Sequence, residues 1–406
     1  MKKSILIASP YFPYPLSGGG QRALYNEIDA LRTEYQIILV CPFADKSIMN
    51  ELQNIWKNVE IRILSNKEVM PVKSFTNVLA KFLISGFRKN EKAYFYDERF
   101  YKTYFSILYE FNEKWYTYVN EIIISSGCDI VQTEFFPLLN NIIFLPGERL
   151  RIFVHHEIGF IKLKRNLDLT GLPLKYQESI VRCLNDLEVH YLNQYDKIIT
   201  LSETDKQFLS ENGVTKEIIA SPFPYMSIVE NANAYSFNNN LILLGGESNF
   251  PNADGLQWFL EVIWPTVLNT YENLQLKVIG KWSDRARKRF SHKNVQFVGY
   301  IGNLNEYIRN TILIVPIRIG SGIRVKILDA LSAGVPVIST SIGAEGLEGF
   351  MKDMFIADNR EEFLLEIQKI IDNQKEIAMK IQGVNNKVRQ VFSNENFQKT
   401  REAVYG

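Results

Sequence analysis

An α/β protein built from two doubly wound parallel sheets is predicted by three features of the sequence. Short β-branched runs alternate with longer amphipathic stretches along most of the chain, the rhythm of βα units. Runs such as Ile37-Ile38-Leu39-Val40 are continuously apolar, which marks strands covered on both faces. A length of 406 residues, at about 100–200 residues per domain, leaves room for two cores. The first half supplies strands at Ser4–Ala8, Gln36–Cys41, Val59–Leu64, Ile130–Thr133, Arg151–Val154 and Lys197–Leu201. The second half supplies Leu241–Gly245, Leu276–Ile279, Val295–Val298, Thr311–Val315 and Pro336–Ser339.

The aperiodic stretch Ala220-Ser-Pro-Phe-Pro-Tyr225 and the Asn-rich Glu230–Asn240 divide the chain. A first domain over 1–225, a second over 226–385 and a hinge near residue 230 follow. A terminal helical segment, 386–406, is expected to pack back on the first domain. Residues 71–120 break the βα rhythm with helical spacing and many aromatics, including Phe75, Phe82, Tyr94, Phe100, Tyr104 and Trp115. They read as a helical insertion. Within it, Phe75–Lys89 sets an apolar stripe beside Lys81, Arg88 and Lys89, a pattern suited to an anionic lipid surface. A core-facing helix pair with solvated lysines fits the same residues.

Composition removes several classes of function. Lys+Arg 46 against Asp+Glu 45 gives a net charge of +1, so no global field would hold the chain on nucleic acid or membrane. Cys41, Cys128 and Cys183 are widely spaced and contain no C-x-x-C pair, which suits a reducing cytosol and offers no zinc site. The first apolar run is too short for a signal peptide, and no run of about 18 apolar residues spans a bilayer.

Val315-Pro-Ile-Arg-Ile-Gly-Ser-Gly-Ile-Arg-Val-Lys-Ile-Leu-Asp329 carries the most chemistry. A strand ends near Val315, a glycine loop follows, and Ile323, Ile327 and Leu331 begin a helix that Gly334 ends. A helix start at the carboxyl edge of a parallel sheet suits a phosphate, and Gly320 and Gly322 let the backbone approach it. Arg324 and Lys326 add positive charge where the helix dipole alone would disfavour it, which points to a bound anion. Asp329, on nearly the same face as Lys326, can accept hydrogen bonds from sugar hydroxyls; an exposed Lys326–Asp329 ion pair is the alternative.

A second glycine loop, Ser17-Gly18-Gly19-Gly20-Gln21-Arg22, lies after the first strand, where open α/β sheets bind ligands, although a plain tight turn fits as well. His155, His156 and Glu157 follow another strand end. Vicinal side chains point apart, so one histidine at most reaches a ligand, and too few donors are evident for a metal. Asp-x-Asp, a Walker loop, G-x-S-x-G and H-E-x-x-H are all missing, which removes the usual support for hydrolase and ATPase readings.

In this arrangement the chain resembles the GT-B glycosyltransferases, in particular the retaining enzymes of glycosyltransferase family four. The resemblance rests on Phe250-Pro-Asn-Ala-Asp-Gly255, Gly299-Tyr-Ile-Gly-Asn-Leu304, Pro316–Asp329 and Gly343-Ala-Glu-Gly-Leu347 in order, and on Ser17–Arg22, His155-His156-Glu157 and Ile198–Glu203 in the first half. It implies two Rossmann-like domains facing across a cleft that closes about the hinge, with a nucleotide-diphosphate sugar held by the second and an acceptor entering from the first. Asp329 matches the second acid of the family's E-x7-E pattern and would hold the ribose; Ser321 stands where the first acid is expected. Arg324 and Lys326 would neutralise the diphosphate, with Arg318 in reserve. The N–H groups of Gly322, Ile323 and of Gly18, Gly19 and Gly20 would receive charge growing on the leaving group, and His156 would contact the transferred sugar.

These residues together imply a cytosolic, metal-independent retaining glycosyltransferase, possessing no cofactor beyond its nucleotide-sugar co-substrate. Its acceptor would be a glycan or lipid-linked sugar in surface polysaccharide assembly, reached from the inner face of the membrane. A nucleotide-sugar 2-epimerase of the same fold and a non-catalytic sugar-nucleotide-binding scaffold are the competing readings.

Overall fold

The computed structural model describes residues 2–65, 112–228 and 235–406. Phe75–Lys89, the insertion as far as residue 111 and the hinge near residue 230 lie outside the described residues. The chain forms two units, Met1–Pro224 with Phe397–Gly406, and Tyr225–Asn396.

The first unit runs β1 (Ser4–Ala8), α1 (Gly19–Leu31), β2 (Gln36–Phe43), α2 (Lys46–Ile55), β3 (Val59–Ser65), α3 (Glu113–Ser126), β4 (Ile130–Glu134), a 3-10 segment (Phe136–Phe144), β5 (Leu150–His155), α4 (Gly159–Asp168), α5 (Leu174–Leu192), β6 (Lys197–Thr200), α6 (Glu203–Glu211) and β7 (Glu217–Ala220). Its seven strands lie in the order β3-β2-β1-β4-β5-β6-β7, every neighbouring pair parallel. Leu6, Ile38, Val131, Phe153 and Ile198 join the core on one face of the sheet. Their neighbours Ile5, Ile7, Ile37 and Leu39 are buried on the other, which is why β1 and β2 carry no polar alternation.

The second unit contains β8 (Asn240–Leu244), α7 (Phe250–Trp258), α8 (Trp264–Thr270), β9 (Gln275–Ile279), α9 (Asp284–Arg289), β10 (Val295–Gly299), α10 (Asn305–Ile308), β11 (Ile312–Val315), α11 (Val325–Ala333), β12 (Val337–Ser339), α12 (Ser341–Ala344), β13 (Phe355–Ile356), α13 (Arg360–Asp372), α14 (Gln374–Ile381) and α15 (Val384–Val391). Its six parallel strands follow the order β10-β9-β8-β11-β12-β13. The last helix, α16 (Asn394–Tyr405), supplies Phe397 and the residues after it to the first unit.

Three boundaries differ from the sequence reading. Residues 386–396 belong to the second unit, because α15 packs against α11; the return to the first unit begins at 397. Residues 113–120, read as insertion, form the start of α3, whose Trp115, Val119 and Ile123 fill the first core ahead of β4. Helix α11 begins at Val325, with Arg324 as its extended N-cap, so Ile323 lies in the loop.

Candidate functional site

Strand order places two crevices. In the first sheet β1 pairs with β2 on one side and β4 on the other, so the connections leaving the carboxyl ends of β1 and β4 diverge. The second sheet does the same at β8 and β11. Such reversals open a crevice at the carboxyl edge of an open α/β sheet. Gly18–Gly20 follow β1, Phe135 follows β4, and the loop Pro316–Arg324 follows β11.

In the second unit the loop before α11 is held from within. The Arg324 guanidinium folds back and donates to the carbonyls of Ser321 and Gly322. Gly320, at φ 123°, leaves room for it: a Cβ there would lie 2.8 Å from Arg324 Nη2. Helix α11 has no side-chain cap, and the N–H groups of Gly322, Ile323, Val325 and Lys326 donate to no backbone acceptor among the described residues. They are the orphan donors expected at a helix start, available to an anion.

Lys326 is the group beside them. Its ammonium donates to Asn252 Oδ1 at 2.7 Å, and Asn252 Nδ2 in turn donates to Gly246 O at 3.3 Å in the loop after β8. Burial, with the Arg324 charge adding to it, pushes the Lys326 ammonium down to about 7. Near neutrality Lys326 is poised to take up a proton when an anion arrives. The exposed Lys326–Asp329 pair is not formed. Asp329 is only 3% exposed and accepts the Tyr225 hydroxyl at 2.6 Å. Ser321 is likewise buried. Arg318, in the same loop, forms a two-bond pair with Asp254 (2.6 and 3.1 Å) and lies over the Trp258 ring.

In the first unit the two histidines divide. His155 is buried, and its Nε2 lies 2.7 Å from Glu188 Oε1, while Glu188 also accepts the N–H groups of Gly159 and Phe160. Glu188 thereby ties His155 to the start of α4. His156 Nε2 meets Glu134 Oε2 at 2.7 Å, and its ring stacks on Phe135 at 3.7 Å between centroids. Phe135 adopts φ 65°, ψ 146°, a strained backbone for an aromatic residue and one that clusters at functional sites. A Cβ on Gly20 would come within 3.1 Å of the Phe135 ring, so the glycine lets α1 start directly against it. Helix α1 also lacks a side-chain cap. Burial pushes the His156 imidazole down to about 4 and the Glu134 carboxyl up to about 7.

The residues of the second unit have counterparts in known proteins. Residues 239–373 match the family model for Glycosyl transferases group 1. That match lies wholly within the second unit. Over 359 residues the chain is 23% identical to an uncharacterized 44.6 kDa protein in the cps region of Klebsiella pneumoniae, covering 84% of each. In structure it is similar to TarM, with a TM-score of 0.70 at 10% identity over 100% of this chain and 99% of the other. It is also similar to Anabaena Alr3699/HepE in complex with UDP-glucose, with a TM-score of 0.61 at 11% identity over 98% of this chain and 99% of the other. The fold is GT-B, as the sequence motifs implied.

Of the sequence-predicted residues, Gly320, Ser321, Gly322, Ile323, Arg324 and Lys326 gather at the start of α11 in the second unit, and Gly20 and His156 meet at Phe135 in the first unit, with Gly18 and Gly19 just ahead of Gly20 in the chain. Sequence reasoning missed Asn252 and Tyr225, which hold Lys326 and Asp329, and Glu134 and Phe135, which hold His156. Phe250-Pro-Asn252 was visible as a motif; that its asparagine would reach a lysine 74 residues away was not. Among the described residues no group of three His, Cys, Asp or Glu is placed to hold a metal ion, and no helix is long and apolar enough to cross a membrane.

Proposed function

We propose that the protein is a retaining glycosyltransferase that moves a hexose-type sugar from a nucleotide-diphosphate donor to a glycan or lipid-linked acceptor in surface polysaccharide assembly. The observation that carries this reading is the start of α11: uncapped N–H groups at a switch point, beside a Lys326 able to gain a proton, within the residues that match the Glycosyl transferases group 1 model. The diphosphate would sit on those N–H groups, with Lys326 and Arg324 answering its charge and Asp329 taking the ribose. As the bond from the sugar's anomeric carbon to the diphosphate oxygen breaks, the acceptor hydroxyl bonds to that carbon on the same face. Its proton passes to the departing diphosphate. Orphan N–H groups and cationic side chains preorganised around the leaving oxygen stabilise the charge that develops there. The Klebsiella relative's place in a cps region and the UDP-glucose in the HepE structure support this choice of pathway and donor class.

A thermal-shift panel of UDP-, GDP- and ADP-sugars identifies the donor, since a ligand that prefers the native state raises its apparent stability. Incubation with that donor alone then separates the readings. Slow release of free sugar supports transfer, a 2-epimer supports the isomerase, and binding without turnover supports the scaffold. Activity is expected to persist in excess chelator; loss on EDTA treatment that magnesium restores would overturn the metal-free reading.

The acceptor reading places the protein at the cytoplasmic face of a membrane, with Phe75–Lys89 on anionic lipid. Sedimentation with vesicles containing phosphatidylglycerol is expected at low salt and should decline as salt screens the lysines. No sedimentation at low salt would leave the core-helix reading.

A further inference from the structure

Helix α16 reaches His156 through a continuous buried chain. The Tyr405 hydroxyl donates to Gln132 Oε1 at 2.6 Å. Gln132 Nε2 donates to Glu27 Oε1 at 2.8 Å and to Glu134 Oε1, while Glu134 Oε2 meets His156 Nε2. Arg401 Nη2 lies 3.1 Å from Glu27 Oε1. Glu27, Gln132, Glu134 and Arg401 have no solvent exposure at all. Both N–H groups and the carbonyl of the Gln132 amide are thus committed, and the amide can turn no other way without losing a bond at each end.

We propose that α16 sets which ring nitrogen of His156 carries the proton: Arg401 and Tyr405 are positioning residues that act through Glu27 and Gln132 on Glu134, the group bonded to the imidazole. An ionised Glu134 can only accept, so it fixes a neutral His156 as the Nε2–H tautomer and leaves Nδ1 as the unprotonated nitrogen. A protonated Glu134 donates instead, and the ring must move its proton to Nδ1. Burial favours the protonated acid; the Arg401 charge and the Gln132 hydrogen bond oppose it. The titratable and charged groups facing His156 are Glu134, Glu27, Arg401, His155 and Glu157, and Arg401 is the member of that set contributed by α16. The consequence for turnover rests on His156 contacting the transferred sugar; the tautomer itself does not.

The test is nitrogen-15 NMR of the histidine rings in the full-length protein, with four histidines to resolve and the His156 signals identified by their loss in His156→Gln. At about pH 7.5 the wild type is expected to show Nε2–H as the major His156 form. Tyr405→Phe, which keeps the ring and loses only the hydroxyl, and Arg401→Lys should each shift the population toward Nδ1–H. Glu134→Gln should give a mixture that no longer changes with pH through neutrality. A merely structural role would lower the melting temperature and leave the nitrogen signals as they were. If Tyr405→Phe and Arg401→Lys both keep the wild-type tautomer ratio, the inference is wrong. Should Arg401→Lys fail to fold, Tyr405→Phe alone decides in the same way. A shifted tautomer in a protein with no glycosyl transfer would sink the functional reading and leave this one intact.

Discussion

Lys326→Ala is expected to weaken nucleoside-diphosphate binding by about 10- to 150-fold, the equivalent of one charge-assisted hydrogen bond at about 1.5–3 kcal/mol. The loss should itself depend on pH. In the free protein the ammonium titrates near 7, because burial and Arg324 both disfavour its charge. A diphosphate placed beside it favours the charged form and raises that value. Binding above pH 7 must therefore draw a proton from solution, and affinity should decline as pH rises beyond neutrality. Calorimetry at about pH 8 in two buffers of different ionisation enthalpy measures the uptake, which the alanine variant should lack. Equal heats in both buffers for the wild type would show that Lys326 does not meet the diphosphate.

The unliganded protein carries the opposite signature. The folded-state value of about 7 lies below the ordinary 10.5 of a lysine. Between those two values the unfolded chain binds the proton more tightly, so the native state gains stability with rising pH across that window. Denaturation midpoints of the wild type and Lys326→Ala, compared at pH 7 and about pH 9, should converge or cross accordingly.

His156→Ala should lower turnover by about 100- to 1,000-fold, the range seen when one preorganised polar contact to a reacting group is removed, with donor affinity little altered. The ring is held on one face by Phe135 and at Nε2 by Glu134. Its depressed value of about 4 keeps the ring neutral near pH 7, so it offers a lone pair instead of a charge, on the nitrogen that the protonation state of Glu134 selects. The titration that matters is that of Glu134, near 7. Wild-type turnover should fall as pH drops through that value, and the residual activity of His156→Ala should not. A variant that keeps wild-type turnover would remove His156 from the reaction.

Much of the frame was legible because parallel strands buried on both faces leave unbroken apolar runs, and because each glycine loop follows one of them. Strands β7 and β13 escaped, being short edge segments with little apolar length. The supports of the site escaped for a different reason. Glu27, Gln132, Glu134, Arg401 and Tyr405 are spread over the chain, and nothing local ties residue 27 to residue 401. Two traces were present nonetheless. Gln132 and Glu134 interrupt what would otherwise be an apolar central strand, and Arg401 falls on the buried stripe of α16 between Phe397 and Val404. A charge inside an apolar stripe requires a buried counter-charge, and that requirement could have been read before any coordinates. Lys326 teaches the complementary lesson: its position was evident from the loop, but its reduced charge depends on Asn252 and on burial, which spacing does not report.

The first unit is discontinuous in sequence, and this orders events on the ribosome. Strands β1 to β7 emerge first, yet Glu27 must wait for the guanidinium it pairs with until the intervening unit, Tyr225–Asn396, has also been translated. Until then the nascent first sheet holds a carboxylate-rich interior lacking its cation, a state that favours an open, incompletely condensed core. Residues 225–396 precede Arg401 in the chain, so the first unit cannot close its buried ion pair before the whole second unit has been made.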